Sequence, residues 1–350
     1  MPNIFITGVS GYIGGDAFHA LFEAHPDYTY TALVRSGPRA AQVAAAYPSL
    51  RLVYGDLASV DLIAAEAAAA DVVLHSASAD DAAPAQAIIK GLASKPEGGF
   101  WIHVSGTGLL TFEDIKNETY GKEGGEVFDD WEGIERVTDE IPDEARHRRI
   151  DKIVLAAGEQ SAGKVKTAIV SPSCIYGKGR GKGNDTSIQV PSLAKVTIER
   201  GHGVMINEGK TRWPGIHVAD LSDLFVGLVE QAVKGGGSAS WGKKGYYFVE
   251  SEELVWGEVS TWVLDAAKKL GLADTDEVKS LNKDEASQAV QAGHIRWGAN
   301  SRCKAIRARK LLGWQPRRPR LKDVVAETVE IEARRLGRLP GHAAKAAGDA

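Results

Sequence analysis

A glycine-rich turn near the amino terminus constrains the fold of this chain more than any other feature. The apolar run at 3–7 is typical of a strand, and Gly8, Gly11 and Gly14 follow it at GxxGxxG spacing before a helical pattern at 12–24. Glycines let the backbone bend sharply and bring the N–H groups of a helix start close to an anion. The order of strand, turn and helix therefore predicts a dinucleotide diphosphate site, although a tight turn without a ligand would also fit.

The first half of the chain alternates short apolar runs with alanine-rich amphipathic segments. This alternation is typical of parallel strands connected by crossover helices. Strands are predicted at 3–7, 29–34, 51–54, 72–75, 100–104 and 167–171, and helices at 12–24, 40–46, 62–69, 84–93 and 150–162. The pattern predicts the α/β class, with a doubly wound parallel sheet (Rossmann fold) and a smaller carboxyl-terminal α/β substrate lobe.

Composition shifts suggest where the domains divide. We expect a dinucleotide-binding domain over 1–175, to which 213–235 returns, a substrate lobe over 176–212 and 236–340, and a loose tail over 341–350. The acidic, glycine-rich stretch 112–146 is typical of an exposed excursion. The Gly/Lys-rich stretch 177–183 fits either a flexible surface loop or a loop that closes over a ligand.

Charge and cysteine content exclude several classes of protein. A net charge of −4 with interspersed signs argues against a nucleic-acid partner. Cys174 and Cys303 stand far apart, so neither a disulfide framework nor a metal site is expected, and a reducing, cytoplasmic setting fits. No secretory signal and no membrane-spanning run is recognised. We expect a small-molecule substrate and a monomer or homodimer.

The residue after the second predicted strand bears on cofactor choice. An acidic residue at this position would bond both ribose hydroxyls of NAD, whereas this chain has Arg35. A guanidinium pairs with a 2′-phosphate, and Ser36 and Arg39 could add donors. NADP(H) is therefore favoured and NAD(H) stays possible. A solvated arginine at a strand end is the alternative interpretation.

Several motifs resemble the extended short-chain dehydrogenase/reductase family, which includes nucleotide-sugar epimerases and dihydroflavonol-type reductases. The resemblance covers about residues 3–335. It rests on the glycine turn, Gly55-Asp56-Leu57, His75-Ser76-Ala77, Ser171-Pro172 with Tyr176-Gly177, Trp213 with His217-Val218-Ala219-Asp220, and Leu312-Gly313-Trp314-Gln315-Pro316.

The resemblance implies a set of cofactor contacts. Asp56 would accept a bond from the adenine amino group, Leu57 would pack on the ring, Ser76 would line the nicotinamide-side ribose, and Pro172 would lie beside the nicotinamide. Asp56 could instead cap the following helix. The cofactor-binding set is Gly8, Ser10, Gly11, Tyr12, Ile13, Gly14, Arg35, Ser36, Asp56, Leu57, Ser76, Lys152 and Pro172.

The catalytic motif of the family is incomplete here. The family uses a tyrosine acid/base in Tyr-xxx-Lys and a Ser or Thr after the fifth strand, but this chain has Arg148 at the tyrosine position and keeps Lys152. Arginine cannot act as the acid because its pKa stays above about 12. His147 could donate the proton instead, unless it is a surface histidine. Lys152 would bond the ribose hydroxyls, and Thr107 or Ser105 would hold a substrate oxygen.

Two functions follow from this pattern. One is an NADPH-dependent oxidoreductase that acts on a carbonyl, imine or activated alkene of a small organic molecule, with Thr107, Lys152 and His147 as the catalytic set. The other is a non-dehydrogenase NADP(H)-binding sensor, or a redox-neutral enzyme on the same fold, since the acid of the family is missing.

Overall fold

The computed structural model describes residues 1–340, so the predicted loose tail at 341–350 lies outside the described residues. The helices are α1 Tyr12–Ala24, α2 Pro38–Ala46, α3 Val60–Ala69, α4 Ala82–Ser94, α5 Phe112–Asn117, α6 Arg148–Gln160, α7 Gln189–Arg200, α8 Val218–Val233, α9 Trp256–Lys269, α10 Lys283–Ala289, α11 Gly293–Arg296, α12 Arg307–Leu312 and α13 Leu321–Arg335. The strands are β1 Asn3–Thr7, β2 Thr29–Val34, β3 Arg51–Tyr54, β4 Val72–His75, β5 Gly99–Val104, β6 Val127–Asp129, β7 Val165–Pro172, β8 Cys174–Tyr176, β9 Gly203–Ile206, β10 Arg212–His217, β11 Tyr246–Val249, β12 Glu252–Val255, β13 Val278–Leu281 and β14 Arg302–Lys304.

Seven strands form one sheet in the order β11-β7-β5-β4-β1-β2-β3, and every pairing in it is parallel. The strands near its centre consist of buried residues on both faces, as expected when helices cover a parallel sheet. The predicted α/β class and doubly wound parallel sheet are confirmed. Chain order reverses between β1 and β4, so a crevice opens beyond the carboxyl ends of these two strands.

One strand of the sheet lies where the sequence predicted the substrate lobe. The range 236–340 was assigned to that lobe, but β11 pairs with β7 along the edge of the large sheet. Its four residues are completely buried. The sequence missed this strand because about 70 residues separate it from its partner, with three other strands in between.

The acidic stretch 112–146 is not an exposed excursion, which corrects the sequence-based expectation. Ile134, Val137 and Ile141 are buried in the main core. Asp130 is also buried, and its carboxylate accepts backbone N–H groups of Phe248, Ile306 and Arg307 at 2.8–2.9 Å. The stretch is therefore fixed to β11 and to the start of α12.

A second hydrophobic cluster forms away from the large sheet. It is built mainly from α7, α9 and α13 together with the small sheets β12-β10-β8 and β13-β9. Trp256 and Trp297 are almost completely buried within it. This cluster gives the carboxyl-terminal half a core of its own beside the crevice.

The Gly/Lys-rich stretch 177–183 packs on α1. A Cβ on Gly181 would lie 2.6 Å from the backbone of Gly15. The two backbone segments therefore lie too close together for a residue larger than glycine at position 181. Arg180 forms an ion pair with the fully buried Asp16 at 2.6 Å, and Ser222 donates to the same carboxylate. Hydrogen bonds and the ion pair lower the pKa of Asp16 against the effect of burial.

Candidate active site

The glycine turn lines a cavity of about 620 Å³ at the carboxyl edge of the sheet. Gly8 has a φ of +84°, and a Cβ there would lie 2.8 Å from backbone atoms of Ser76 and Ala77. A Cβ on Gly14 would lie 2.2 Å from Ser76 Oγ. Helix α1 begins after Gly11 without a side-chain cap and without an acidic residue in its first turn. Its first N–H groups are thus left for an external acceptor, and the turn fits a diphosphate in shape and polarity.

The predicted residues of the turn have different surroundings. Gly8, Ser10 and Gly11 line the cavity. The Tyr12 hydroxyl donates to the Gly177 carbonyl at 2.6 Å, and the Ile13 side chain packs on the core. At Tyr12 and Ile13, only the backbone N–H groups are therefore candidates for contact with a phosphate.

The end of the cavity beside β2 carries two free cations. Arg35 and Arg39 line it, both side chains are exposed, and neither guanidinium has a hydrogen-bond or ion-pair partner within residues 1–340. Ser36 is exposed beside them and is not among the lining residues. Two unpaired guanidiniums at this point suit a phosphate group.

Asp56 both lines the cavity and caps its own turn. Its Oδ1 accepts the Ala58 N–H at 3.0 Å and the Ser59 hydroxyl at 3.1 Å, which closes the turn before α3. Asp56 and Leu57 also line the cavity. The prediction that Asp56 caps the helix is wrong, because Ser59 is the residue before α3, and contact of Asp56 with the adenine stays a prediction.

The opposite end of the cavity follows β4. Ser76, Ala77 and Ser78 line it, and the Ser76 hydroxyl donates to the Thr7 carbonyl at 2.7 Å. Thr7 and the two buried histidines of the neighbouring strands, His75 and His103, form a polar row beneath this end. The Thr7 hydroxyl lies 2.7 Å from His75 Nδ1, and burial lowers the pKa of His75 to about 4.

His147 lies at the ends of β5 and β7. Its Nδ1 is 2.7 Å from Asp80 Oδ1, and its side chain is 11% exposed. The hydrogen bond from His147 lowers the pKa of Asp80. A Cβ on Gly106 would lie 3.3 Å from His147 Nε2 and 3.9 Å from the Pro172 carbonyl oxygen. The hydrogen bond to Asp80 therefore fixes the His147 ring beside predicted site residues, and His147 is not a free surface side chain.

Thr107 is next to this histidine in the turn that follows β5. Its side chain is 1% exposed, and Oγ1 has no hydrogen-bond partner within residues 1–340. The Ser105 hydroxyl, the other candidate from the sequence, donates to Asp151 Oδ2 at 3.0 Å and is thus already engaged. Of these two hydroxyls, only that of Thr107 has no partner within the described residues.

The structure does not bring Arg148 and Lys152 to this cluster. Arg148 is buried, and its guanidinium donates to the carbonyls of Val137, Thr138 and Ile141. Lys152 is half exposed, and its Nζ lies 2.6 Å from Asp143 Oδ1. Helix α6 thus directs both predicted residues away from the end of β5, because its register differs by one residue from the one inferred from the family motif.

The face of α6 that meets the sheet carries His147 and, one turn later, Asp151. Asp151 is completely buried; its Oδ2 accepts the hydroxyls of Ser105 at 3.0 Å and Tyr246 at 3.3 Å, and its Oδ1 has no partner within residues 1–340. Burial raises the pKa of Asp151 to about 6, although Ser105 and the nearby His147 oppose the shift.

Asp151→Asn is expected to stabilise the fold more at pH 8 than at pH 5. Because the pKa of Asp151 is raised in the folded state, the stabilisation of the fold by this carboxyl is fully present below its ordinary pKa. That stabilisation is lost as the pH rises through about 6. Above that pH the ionised group costs about 3 kcal/mol, a cost that asparagine removes while keeping an acceptor oxygen. Urea unfolding should show a gain about 1 kcal/mol larger at pH 8 than at pH 5.

Asp143→Asn is the matched control for this prediction. Lys152 lowers the pKa of the exposed Asp143, so loss of its charge should give no gain at pH 8. An equal effect of Asp151→Asn at both pH values would contradict the assignment of a buried, reluctantly ionised carboxyl.

Two partners in this cluster were not found by sequence reasoning. Asp80 follows β4 within Ser78-Ala79-Asp80-Asp81, and an acidic pair after a strand was the available signal. Asp151 lies one helical turn after His147. The family motif, however, predicted the register in which Arg148 and Lys152 face the site. Local patterns could not reveal these contacts, because Asp80 lies 67 residues before His147 and Asp151 lies 95 residues before Tyr246.

No helix within residues 1–340 combines the length and apolar character needed to cross a membrane.

Comparison with known proteins agrees with the geometry. A family model described as the NAD dependent epimerase/dehydratase family matches residues 4–90, which include the glycine turn and Arg35. The oxidase ucsJ from Acremonium sp is 36% identical over 343 residues, which span 95% of this chain and 98% of that protein. The uncharacterized protein C2A9.02 from Schizosaccharomyces pombe is 25% identical over 316 residues, 89% of this chain and 94% of that protein.

Solved structures show the same fold. DesIV, a dTDP-glucose 4,6-dehydratase from Streptomyces venezuelae with NAD and TYD bound, superposes with a TM-score of 0.65 at 19% identity over 95% of this chain and 97% of DesIV. The UDP-glucose 4-epimerase from Thermotoga maritima gives a TM-score of 0.64 at 15% identity over 95% of this chain and 99% of that chain. Given the match to ucsJ along nearly the whole length and the nucleotide-binding geometry described above, this chain belongs to the extended short-chain dehydrogenase/reductase family, whose members are NAD(P)-binding oxidoreductases of the epimerase/dehydratase type.

Proposed function

We propose that this enzyme is an NADPH-dependent oxidoreductase that reduces a carbonyl, imine or activated alkene of a small organic molecule. The observation that carries the proposal is the arrangement at the end of β5: His147, bonded through Nδ1 to Asp80, lies against both glycines that flank the unpartnered Thr107. A hydroxyl and a titratable acid side by side are the groups that a carbonyl reduction requires.

Cofactor choice follows from the other end of the cavity. The free guanidiniums of Arg35 and Arg39 would bind a 2′-phosphate, and the segment 33–39 at the end of β2 carries no acidic residue. The turn Gly8–Gly14 would bind the diphosphate, Asp56 and Leu57 the adenine, and Ser76 and Pro172 the nicotinamide side. NADH is the alternative cofactor, for which the same cavity would serve with lower affinity.

The residues divide the chemistry among themselves. A nicotinamide bound in this cavity would supply the hydride chemistry. Thr107 donates a hydrogen bond that holds and polarises the substrate oxygen, and protonated His147 gives its Nε2 proton to the developing anion. Asp80 orients the ring through its contact with Nδ1, which leaves Nε2 toward the substrate. The second hydrophobic cluster would form the substrate lobe.

The test is oxidation of NADPH against a panel of aldehydes, ketones and imines, followed at 25 °C with NADH in parallel. Turnover that is lost in Thr107→Val but kept in Ser105→Ala supports the assignment of the reacting hydroxyl. The competing function, a sensor of NADP(H), is favoured by the placement of Arg148 and Lys152: Arg148 is buried against backbone carbonyls and Lys152 is bonded to Asp143, so the proton route of the family is absent. Tight NADPH binding with no turnover of any panel member would support the sensor.

A further inference from the structure

The Gly/Lys-rich segment 177–184, which we call the strap, lies against the diphosphate turn, and none of its residues is part of the cavity wall. A Cβ on Gly183 would lie 2.1 Å from the Ser10 carbonyl oxygen. The Asn184 N–H donates to the same oxygen at 3.0 Å. Because Ser10 itself lines the cavity, the strap contacts the backbone of the turn at a residue beside the proposed nucleotide.

Two further glycines of the strap pack on the start of α1. A Cβ on Gly179 would lie 3.1 Å from the Tyr12 ring, and the backbone of Gly181 lies against that of Gly15. The Tyr12 hydroxyl in turn donates to the Gly177 carbonyl at 2.6 Å. The glycines of this segment therefore allow close packing along the turn and the first residues of α1.

A buried ion pair fixes the middle of the strap. The Asp16 carboxylate on α1 is completely buried, and it accepts the Arg180 backbone N–H at 2.7 Å and the Arg180 guanidinium at 2.6 and 3.1 Å. Removal of one partner of a buried ion pair would leave the other charge uncompensated. Arg180 thus determines where the strap lies on α1.

The strap also connects the turn with the second hydrophobic cluster. It directly follows β8, a strand of the small sheet β12-β10-β8. Beyond the strap, the Asp185 carbonyl accepts the Gly179 N–H at 2.8 Å, and the Asp185 carboxylate forms an ion pair with Arg335 of α13 at 3.2 Å. One short segment therefore links the carboxyl-terminal half of the chain to the diphosphate turn.

We propose that the strap positions the Gly8–Gly14 turn for the diphosphate of the cofactor, with Asp16 and Arg180 as positioning residues. Backbone N–H groups bind an anion more tightly when the fold already holds them in place, because ordering them on binding costs conformational entropy. The contacts at Ser10 and along α1 supply this restraint from outside the turn. The inference rests on the proposed function for the identity of the nucleotide.

Gly183→Ala is the first test, because its methyl group would push on the Ser10 carbonyl. Calorimetric titration should show the dissociation constants of NADPH and NADH rising about tenfold or more. Both should rise by the same factor, since the two nucleotides share the diphosphate. This signature differs from that expected for the loss of a contact to the 2′-phosphate, which would affect NADPH alone.

Gly245→Ala is the matched control. A Cβ on Gly245 would lie 2.4 Å from the Thr167 carbonyl oxygen, a similar clash with backbone. Gly245 immediately precedes β11, whereas the cavity lies at the carboxyl edge of the sheet. The control should lower the thermal unfolding midpoint and leave both dissociation constants within about twofold.

Arg180→Gln tests the ion pair independently, and it should also weaken both nucleotides by a common factor. Its control is Arg309→Gln, which breaks the ion pair of Arg309 with Glu250 at 2.6 Å and should leave both affinities unchanged. Should Arg180→Gln fail to fold, Gly183→Ala decides alone. Unchanged affinities in Gly183→Ala, or a loss confined to NADPH, would overturn the inference. Wild-type protein that binds neither nucleotide would count against the proposed function instead.

Discussion

Replacement of His147 by asparagine is expected to lower kcat for carbonyl reduction by about 10²–10⁴-fold, the usual contribution of a positioned acid. Asparagine can still donate to Asp80, so the loop that holds it should keep its place, but it has no proton to give. NADPH affinity should stay the same, because the ring contacts the turn after β5 and not the diphosphate turn. Initial rates and a fluorescence titration of NADPH measure the two effects separately.

The matched control is His202→Asn. His202 belongs to the carboxyl-terminal half, and its Nδ1 lies 2.9 Å from the neighbouring Gly203 carbonyl. Its replacement should leave kcat unchanged. Asp80→Asn should give a smaller loss than His147→Asn, since it removes the orienting charge and keeps the acid. Full activity of His147→Asn would mean that another group supplies the proton.

Arg35→Asp is expected to weaken NADPH binding by about 10²-fold or more and to leave NADH binding within a few-fold. The change removes charge-assisted bonds to the 2′-phosphate and adds a repelling carboxylate. The same carboxylate can accept bonds from the ribose hydroxyls of NADH. Dissociation constants for both nucleotides, measured by calorimetry in the same buffer, give the ratio.

Arg200→Asp controls for the change in net charge, because Arg200 is exposed at the end of α7. It should leave the ratio of the two dissociation constants unchanged. Equal weakening of both nucleotides by Arg35→Asp would contradict a phosphate contact at this position.

Local sequence patterns predicted the large sheet well. The six strands proposed from apolar runs all pair in it, and the glycine turn lies between β1 and α1 as expected. These features depend on short-range order: periodicity within a strand, and glycine where the backbone takes a positive φ or approaches another chain segment. The edge strand β11 was not predicted, because its partner β7 is distant in sequence.

The register of α6 could not be predicted from the spacing alone. His147 with Asp151 and Arg148 with Lys152 both have one helical turn between them, and only tertiary contacts choose the pair that faces the sheet. Three backbone carbonyls of the stretch 137–141 bind the Arg148 guanidinium, and they turn that side of the helix away. Those carbonyls belong to a segment whose folding the sequence did not reveal.

The central claim is that the Gly8–Gly14 turn binds a nicotinamide dinucleotide through backbone N–H groups. A crystal structure of the protein saturated with NADPH tests it most directly. We predict density for the diphosphate within hydrogen-bond distance of the N–H groups at the start of α1, with the 2′-phosphate beside Arg35. Nucleotide bound elsewhere, or a turn left empty at saturation, would contradict the account.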